Sequence, residues 1–299
     1  MSTLPVIAAV DGSDDSLRAL DWAVDAARGR GAPLRVAHVR QYTAWTRPGV
    51  LAEGPPEPDD SVLDEVRARL TDLPGVPETE YLALEGAPGA LVPELGAIAQ
   101  LLVLGSRGRG GFAGLLLGSN GMAAARDAEC PVVVVPRPGR EVHGDLPQEP
   151  GPRVVAGLQV DGPDDATLAF AFTEAALRGA RLQVVAAYAW PLPTWAVSGE
   201  VVTLLADQDA AEAETRTLAE GRLAPHRARH PEVRAEVTVL PGDAAGNLVA
   251  ASRDAELVVV GRHRRRLLAP ARMLGSVTHA VLLHATSPVA VVPPAAANG

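Results

Sequence analysis

The 299-residue chain contains no lysine, so all 27 of its basic residues are arginines. A Walker A loop, which needs a lysine on the β and γ phosphates, is thereby excluded, as are Schiff-base and kinase-type lysine chemistries. Aromatic residues are scarce at 3%, too few for the stacking platforms that hold single-stranded nucleic acid. The single cysteine, Cys130, rules out a disulfide within the chain. Met1 to Val10 lacks the charged and long apolar regions of a signal peptide, and no apolar run approaches the roughly 18 residues that span a bilayer. The formal net charge of −9 repels phosphate backbones and anionic headgroups. These absences predict a cytoplasmic protein that binds neither nucleic acid nor membrane.

What is present is ample core. Hydrophobic residues make up 47% of the chain and charged residues 21%, and the length suits two domains of about 150 residues. An internal repeat confirms the division. Shifted by 148, Val6 to Val39 aligns with Val154 to Ala187 without a gap, and Gly31-Ala32 falls on Gly179-Ala180. Further on, at shifts of 156 to 157, Leu101 to Gly105 meets Leu257 to Gly261, Gly118-Ser119 meets Gly275-Ser276, and Pro131 to Pro136 meets Pro288 to Pro293. We divide the chain into residues 1–137, a polar linker rich in Pro and Gly at 138–152, and residues 153–299.

In each copy, short apolar runs without alternation read as strands buried on both faces, separated by Ala-rich stretches of helical period. In the first copy the strands are expected at Val6–Val10, Leu34–Val39, Thr79–Leu84, Leu101–Leu104 and Val132–Val135. The expected helices are Ser13–Gly29, Asp60–Leu73, Pro88–Ala99 and Ser119–Ala128. Asp14, Asp15 and Asp60 lie at or near helix starts, and Gly29 and Gly31 supply a stop. Right-handed crossovers make this an α/β chain with two doubly wound parallel sheets. The long segment Tyr42 to Pro58 could cover a site.

Gly105-Ser106-Arg107-Gly108-Arg109-Gly110-Gly111-Phe112-Ala113-Gly114 leaves a buried strand and leads to Gly118-Ser119 at a helix start. Glycine lets backbone approach a ligand closely, and the free amides and dipole of a helix start favour an anion. The Ser119 hydroxyl adds a donor, while Arg107 and Arg109 can neutralise charge in place of lysine. A Rossmann-like match, Gly108-x-Gly110-x-x-Ala113, follows the fourth strand instead of the first, which argues against a dinucleotide.

The spacing Gly105-x2-Gly108-x9-Gly118-Ser119 resembles the ATP-binding signature of the universal stress proteins. Val6 to Ser13 looks like that family's first strand with its Asp, and Pro131 to Pro136 like its fifth. The resemblance covers nearly the whole chain apart from the linker and the Tyr42 to Pro58 segment. It implies a tandem member whose domains resemble adenine-nucleotide alpha hydrolases, with five parallel strands in the order 3-2-1-4-5. It further implies ATP between strands one and four, with Asp11 on the nucleoside, backbone near Val39 on the adenine, and Gly105, Gly108, Gly118, Ser119 and Asn120 on phosphates and ribose. Mg²⁺ is expected from the triphosphate's charge and not from a residue pattern. Ala9 stands where the family carries glycine, and Asn120 where it carries an aliphatic residue.

At the constant shift Asp11 falls on Gln159 and Gly108 on Arg264, so the second copy's motif is degenerate. Placing Asp161 on Asp11 would break the match through Gly179 and Leu182. The run Arg262 to Arg266 reads as a solvated loop, and His226 and His230, four apart on a helix, as an exposed polar face. Trp22 reads as core and Cys130 as a small buried hydrophobe. No nucleophile elbow, paired carboxylates or Cys-His constellation argues for an enzyme. The expectation is an ATP-dependent regulator of the stress response. The alternatives are an interaction module that needs no nucleotide, and slow ATP hydrolysis or AMP sensing. Strand five, an apolar edge, is expected to pair antiparallel with Val289 to Val292, and two chains to form a homodimer that meets a regulatory partner.

Overall fold

The computed structural model describes residues 3–41, 60–108, 116–142, 149–162, 165–188, 208–262 and 274–295. The chain forms two compact units, one of Met1–Arg140, Arg264–Leu274 and Pro288–Pro293, the other of Glu141–His263, Gly275–Ser287 and Pro294–Gly299.

The first unit alternates strand and helix: β1 (Val6–Val10), α1 (Asp14–Arg30), β2 (Leu34–Arg40), α2 (Ser61–Thr71), β3 (Thr79–Glu85), α3 (Pro88–Glu94), β4 (Leu101–Gly105), α4 (Ser119–Asp127) and β5 (Val132–Val135). The strands follow the order β3-β2-β1-β4-β5, with neighbours parallel. The unbroken apolar runs are the central strands, with Val6, Ile7 and Ala8 of β1 and Leu101, Leu102 and Val103 of β4 fully buried. At the sheet edge β3 is half-exposed, and its Glu80 and Glu85 meet their register partners Arg35 and Arg40 in ion pairs of 2.5 and 2.7 Å.

Local signals set the helix ends. Ser13 caps α1 by accepting from the Ser16 N–H, Asp14 and Asp15 fill its first turn, and Gly31 ends it in the left-handed conformation at φ 57°. Asp60 caps α2 by accepting from the Leu63 N–H. The single helix expected over Pro88–Ala99 is instead α3 followed by a 3₁₀ turn at Leu95–Ile98. Pro93 removes one backbone donor from it. Gly96 then packs so closely on the end of α4 that a Cβ would lie 2.8 Å from Glu129 N.

The second unit repeats the scheme with β6 (Arg153–Leu158), α5 (Asp165–Arg178), β7 (Arg181–Tyr188), α6 (Gln208–Arg229), β8 (Ala235–Pro241), α7 (Ala244–Ala251), β9 (Leu257–Gly261) and α8 (Ser276–His284). Its strand order is β9-β6-β7-β8. Val154 pairs with Leu182 as Val6 pairs with Leu34, and Gly179 repeats the left-handed stop of Gly31 at φ 58°. The ungapped register is therefore the structural one, and Gln159 follows β6 as Asp11 follows β1. The last strand, β10 (Val289–Val292), is grouped with the first unit. There it pairs antiparallel with β5, Val289 opposite Val134 and Val291 opposite Val132, as expected for an apolar strand that must not stay open.

His226 is not on an exposed face: it is 2% exposed and stacks on Phe172 of α5 with ring centroids 5.5 Å apart. Cys130 is buried, and its Sγ lies 3.3 Å from the Pro131 carbonyl. Trp22 is half-buried on α1 instead of sealed in the core. The segment Tyr42 to Pro58 lies outside the described residues, as does the arginine run beyond Arg262.

Candidate functional site

From β1 the chain continues through β2 and β3 on one side, and β4 and β5 take the other, so a crevice opens beyond the carboxyl ends of β1 and β4. Asp11 ends β1 at this crevice. Its Oδ1 accepts from the Ser13 N–H at 3.0 Å and the Ser13 hydroxyl at 2.6 Å, which fixes the carboxylate. Val39 sits on β2 one step beyond the Val10–His38 pair, which brings its backbone level with Asp11.

The glycine-rich stretch leaves β4 at Gly105 and comes back to its own beginning. The Ser106 N–H donates to the Val135 carbonyl at 2.9 Å, and the Ser106 carbonyl accepts from the Gly118 N–H at 2.8 Å, pinning the two ends of the loop together. The glycines differ in what requires them. A Cβ on Gly105 would lie 2.6 Å from the Asp15 carbonyl, so this glycine lets α1 pack against the end of β4. A Cβ on Gly108 would fall on Oδ2 of Asp11, so the loop passes as close to that carboxylate as backbone can. A Cβ on Gly118 would make ordinary contact, 3.6 Å from the Ser106 carbonyl.

Gly118 begins α4 with extended backbone and supplies no side-chain acceptor, whereas Ser13, Asp60 and Asp243 cap α1, α2 and α7. The first-turn amides of α4 are thus left to an anion or to water. Ser119 and Asn120 are exposed in that turn, and the Asn120 Oδ1 faces Gly89 of α3, where a Cβ would lie 3.6 Å away. Arg107 is half-buried beside Asp11, its carbonyl 3.4 Å from the Ser13 hydroxyl. Arg109 lies outside the described residues.

Two groups at this edge escaped the sequence reading. Asp15, 1% exposed, is held by Arg18, by Arg137 Nε at 3.2 Å, and at 3.5 Å by the Ser106 hydroxyl. It is a buried junction beneath the loop, beyond the helix-start role that its position suggested. His38 Nδ1 lies 2.8 Å from both carboxylate oxygens of Asp60. Burial alone would raise the Asp60 pKa, but the hydrogen bonds from His38 and the Leu63 N–H, with the charges of His38 and Arg40, hold it below the usual aspartate range. A histidine and an aspartate 22 positions apart give no motif to find, because only the crossover joins them.

In the second unit Gly275 starts α8 with the same extended backbone as Gly118, φ −61° against −75°. Gln159 is exposed where Asp11 stands in the first unit, and Arg264 lies outside the described residues. Gly157, in the position of Ala9, is so closely packed that a Cβ would approach Leu248 Cδ1 to 2.8 Å.

A doubly wound sheet whose crevice is bordered by an aspartate and a glycine-rich loop defines a class of α/β domains. The chain belongs to the Universal stress protein family, whose profile matches residues 4–136 and 154–293. It is 33% identical over 301 residues to universal stress protein Rv2005c of Mycobacterium tuberculosis strain H37Rv, covering 96% of each chain. Universal stress protein Rv2623 of the same organism is 30% identical over 307 residues, covering 97% of this chain and 96% of its own. Two solved structures share the fold. A universal stress protein from Pseudomonas aeruginosa UCBPP-PA14 has a TM-score of 0.63 at 17% identity, covering 97% of this chain and 93% of its own. One from Archaeoglobus fulgidus has 0.59 at 17%, covering 98% and 97%. Among the described residues, no helix is long and apolar enough to cross a membrane.

Proposed function

We propose that the N-terminal unit binds ATP in the crevice between β1 and β4, and that the protein acts as a nucleotide-dependent regulator in the stress response and not as a catalyst. The observation that carries this reading is the approach of Gly108 to Asp11, a spacing only glycine allows, next to a helix start without a side-chain cap. Bound ATP supplies a polyanion and an adenosine. Asp11 would meet the nucleoside, the backbone near Val39 the adenine, and the loop from Gly105 to Gly108 with Gly118, Ser119 and Asn120 the phosphates and ribose. Arg107 and Arg109 would offset the phosphate charge. Mg²⁺ would enter with the triphosphate, whose charge calls for a divalent ion.

Gln159 cannot offer the carboxylate that Asp11 offers, so the C-terminal unit is read as a non-binding copy that serves protein interaction. This reading has the protein working in the cytoplasm as a homodimer with a regulatory protein partner. The test is mass spectrometry of ligand released from purified protein, followed by calorimetric titration with MgATP. One site per chain is expected, lost in Asp11→Ala and kept in Gln159→Ala. A protein that releases nothing and takes up no ATP would favour the interaction module, and released ADP or AMP would favour hydrolysis or AMP sensing.

A further inference from the structure

The seam between α5 and α6 of the second unit buries a histidine. His226 of α6 lies against Phe172 of α5, which is itself fully buried, and His230, one turn on, tilts against the same ring at a centroid distance of 5.8 Å. Arg229 Nη2 donates to His226 Nδ1 at 3.3 Å. A guanidinium carries donors only, so this bond requires a bare Nδ1 and with it the neutral imidazole. A proton added at Nδ1 removes the bond and sets a buried cation beside the Arg229 cation.

The charges around the ring do little to welcome that proton. On α6, Arg222 stands one turn earlier, and His230 lies 3.3 Å from Glu232 Oε1. On α5, Asp165 attracts a charged His226, while Glu174 is paired with Arg178. On the strands that α6 covers, Arg181 of β7 donates to the Glu149 carbonyl and Glu236 of β8 pairs with Arg234. Packing by itself does not call for a histidine in such a seam: α2, the helix between the second and third strands of the first unit, buries the aliphatic Val62, Leu63, Val66 and Leu70. In that unit a proton on His38 would meet the Asp60 carboxylate at 2.8 Å.

We infer that His226 is an acid-triggered release built into the second unit: when it takes up a proton at mildly acidic pH, α6 separates from α5 and Phe172 opens to solvent, while the first unit keeps its packing. The release needs no nucleotide and would tie the exposure of an apolar face to acid.

Hydrogen exchange of the full chain at pH 7.5 and 5.5, corrected for the intrinsic rate and followed by mass spectrometry of α5, α6 and the first unit, tests it. A group that titrates at about 6.5 once released should lower protection of α5 and α6 by up to about tenfold between the two pH values, with α1 and α2 as the unchanged reference. His226→Phe keeps an aromatic ring in the seam and cannot titrate, so the fall should vanish. Arg229→Met changes an exposed residue, removes the opposing cation and should shrink the fall. Protection of α5 and α6 that changes with pH no more than that of the first unit overturns the inference. So does a fall that persists in His226→Phe or, should that variant not fold, one that is unchanged in Arg229→Met.

Discussion

Replacing Gly105 by alanine should damage the fold, whereas the same change at Gly108 should damage the site. A Cβ on Gly105 would lie 2.6 Å from both the carbonyl carbon and oxygen of Asp15 and 2.9 Å from Ser16 N. Carbon atoms in favourable contact sit about 3.5–4.0 Å apart. The opposing atoms are backbone in the first turn of α1, so no rotamer change relieves the clash and α1 must move off β4 by about 1 Å. Overpacking a core costs about 1–3 kcal/mol, and a rigid opponent places Gly105→Ala near the upper end. At about 2–4 °C per kcal/mol for a unit of this size, the melting midpoint should fall by roughly 6–12 °C. A Cβ on Gly108 meets instead the far end of the Asp11 side chain, which can swing away by giving up its two bonds from Ser13. Asp11 and Ser13 are half-buried, so water can take over much of these bonds, and Gly108→Ala should lose about 1.5 kcal/mol of stability, the low end for bonds to a charged group, while ATP binding is largely lost. Thermal and urea denaturation followed by circular dichroism, with MgATP titration alongside, separates the two effects. Should Gly105→Ala melt within about 2 °C of wild type, less than 1 kcal/mol on that scale, the backbone packing argument is wrong.

Three further outcomes are expected. Because the Asp60 pKa is depressed in the folded state, its contribution is complete above the ordinary aspartate value of about 4 and is lost as pH falls through the lower folded value. Asp60→Asn should flatten the acid end of the stability curve, and an unchanged slope below pH ~4 would count against the His38–Asp60 pair. Burial lowers the His226 pKa, the Arg229 charge adds to this, Asp165 opposes it and His230 lowers it further. A lowered histidine favours the folded state fully above the unfolded value of about 6.5, and that stability is lost as pH falls below it. His226→Leu should thus reduce the difference between urea midpoints at pH 7.5 and pH 5.5, and an undiminished difference would show that other groups set it. Arg153 is 1% exposed and donates to Gln183 Oε1 at 2.7 Å and to the carbonyls of Ala251 and Arg253 at 3.0 and 2.6 Å. Arg153→Met leaves these buried acceptors short of a donor and should cost about 2 kcal/mol or more in urea titration. A loss below about 0.5 kcal/mol would mean that water replaces the guanidinium.

The sequence by itself determined what depends on neighbours along the chain. Runs such as Leu101–Leu104 and Val132–Val135 are apolar throughout and read as strands that need cover on both faces, and Gly31 and Gly179 each mark a left-handed stop at the same place in the repeat. From these followed the repeat register and the loop carrying the candidate site, while the strand order, and with it the expected pairing of β5 with β10, came from the resemblance to a known family. Tertiary structure decided what depends on residues brought together from afar. Asp15 reads as a first-turn carboxylate until Arg137 arrives from beyond β5, and His38 and Asp60 meet only because α2 folds back on β2. Four-residue spacing placed His226 and His230 on one helix face but could not say that the face packs on Phe172. Gly105 and Gly108 look alike in the motif, yet one makes room for a helix and the other for a carboxylate. Periodicity and propensity record the solvent environment of each position along an element, whereas the identity of the group across a contact is fixed only when the crossovers close.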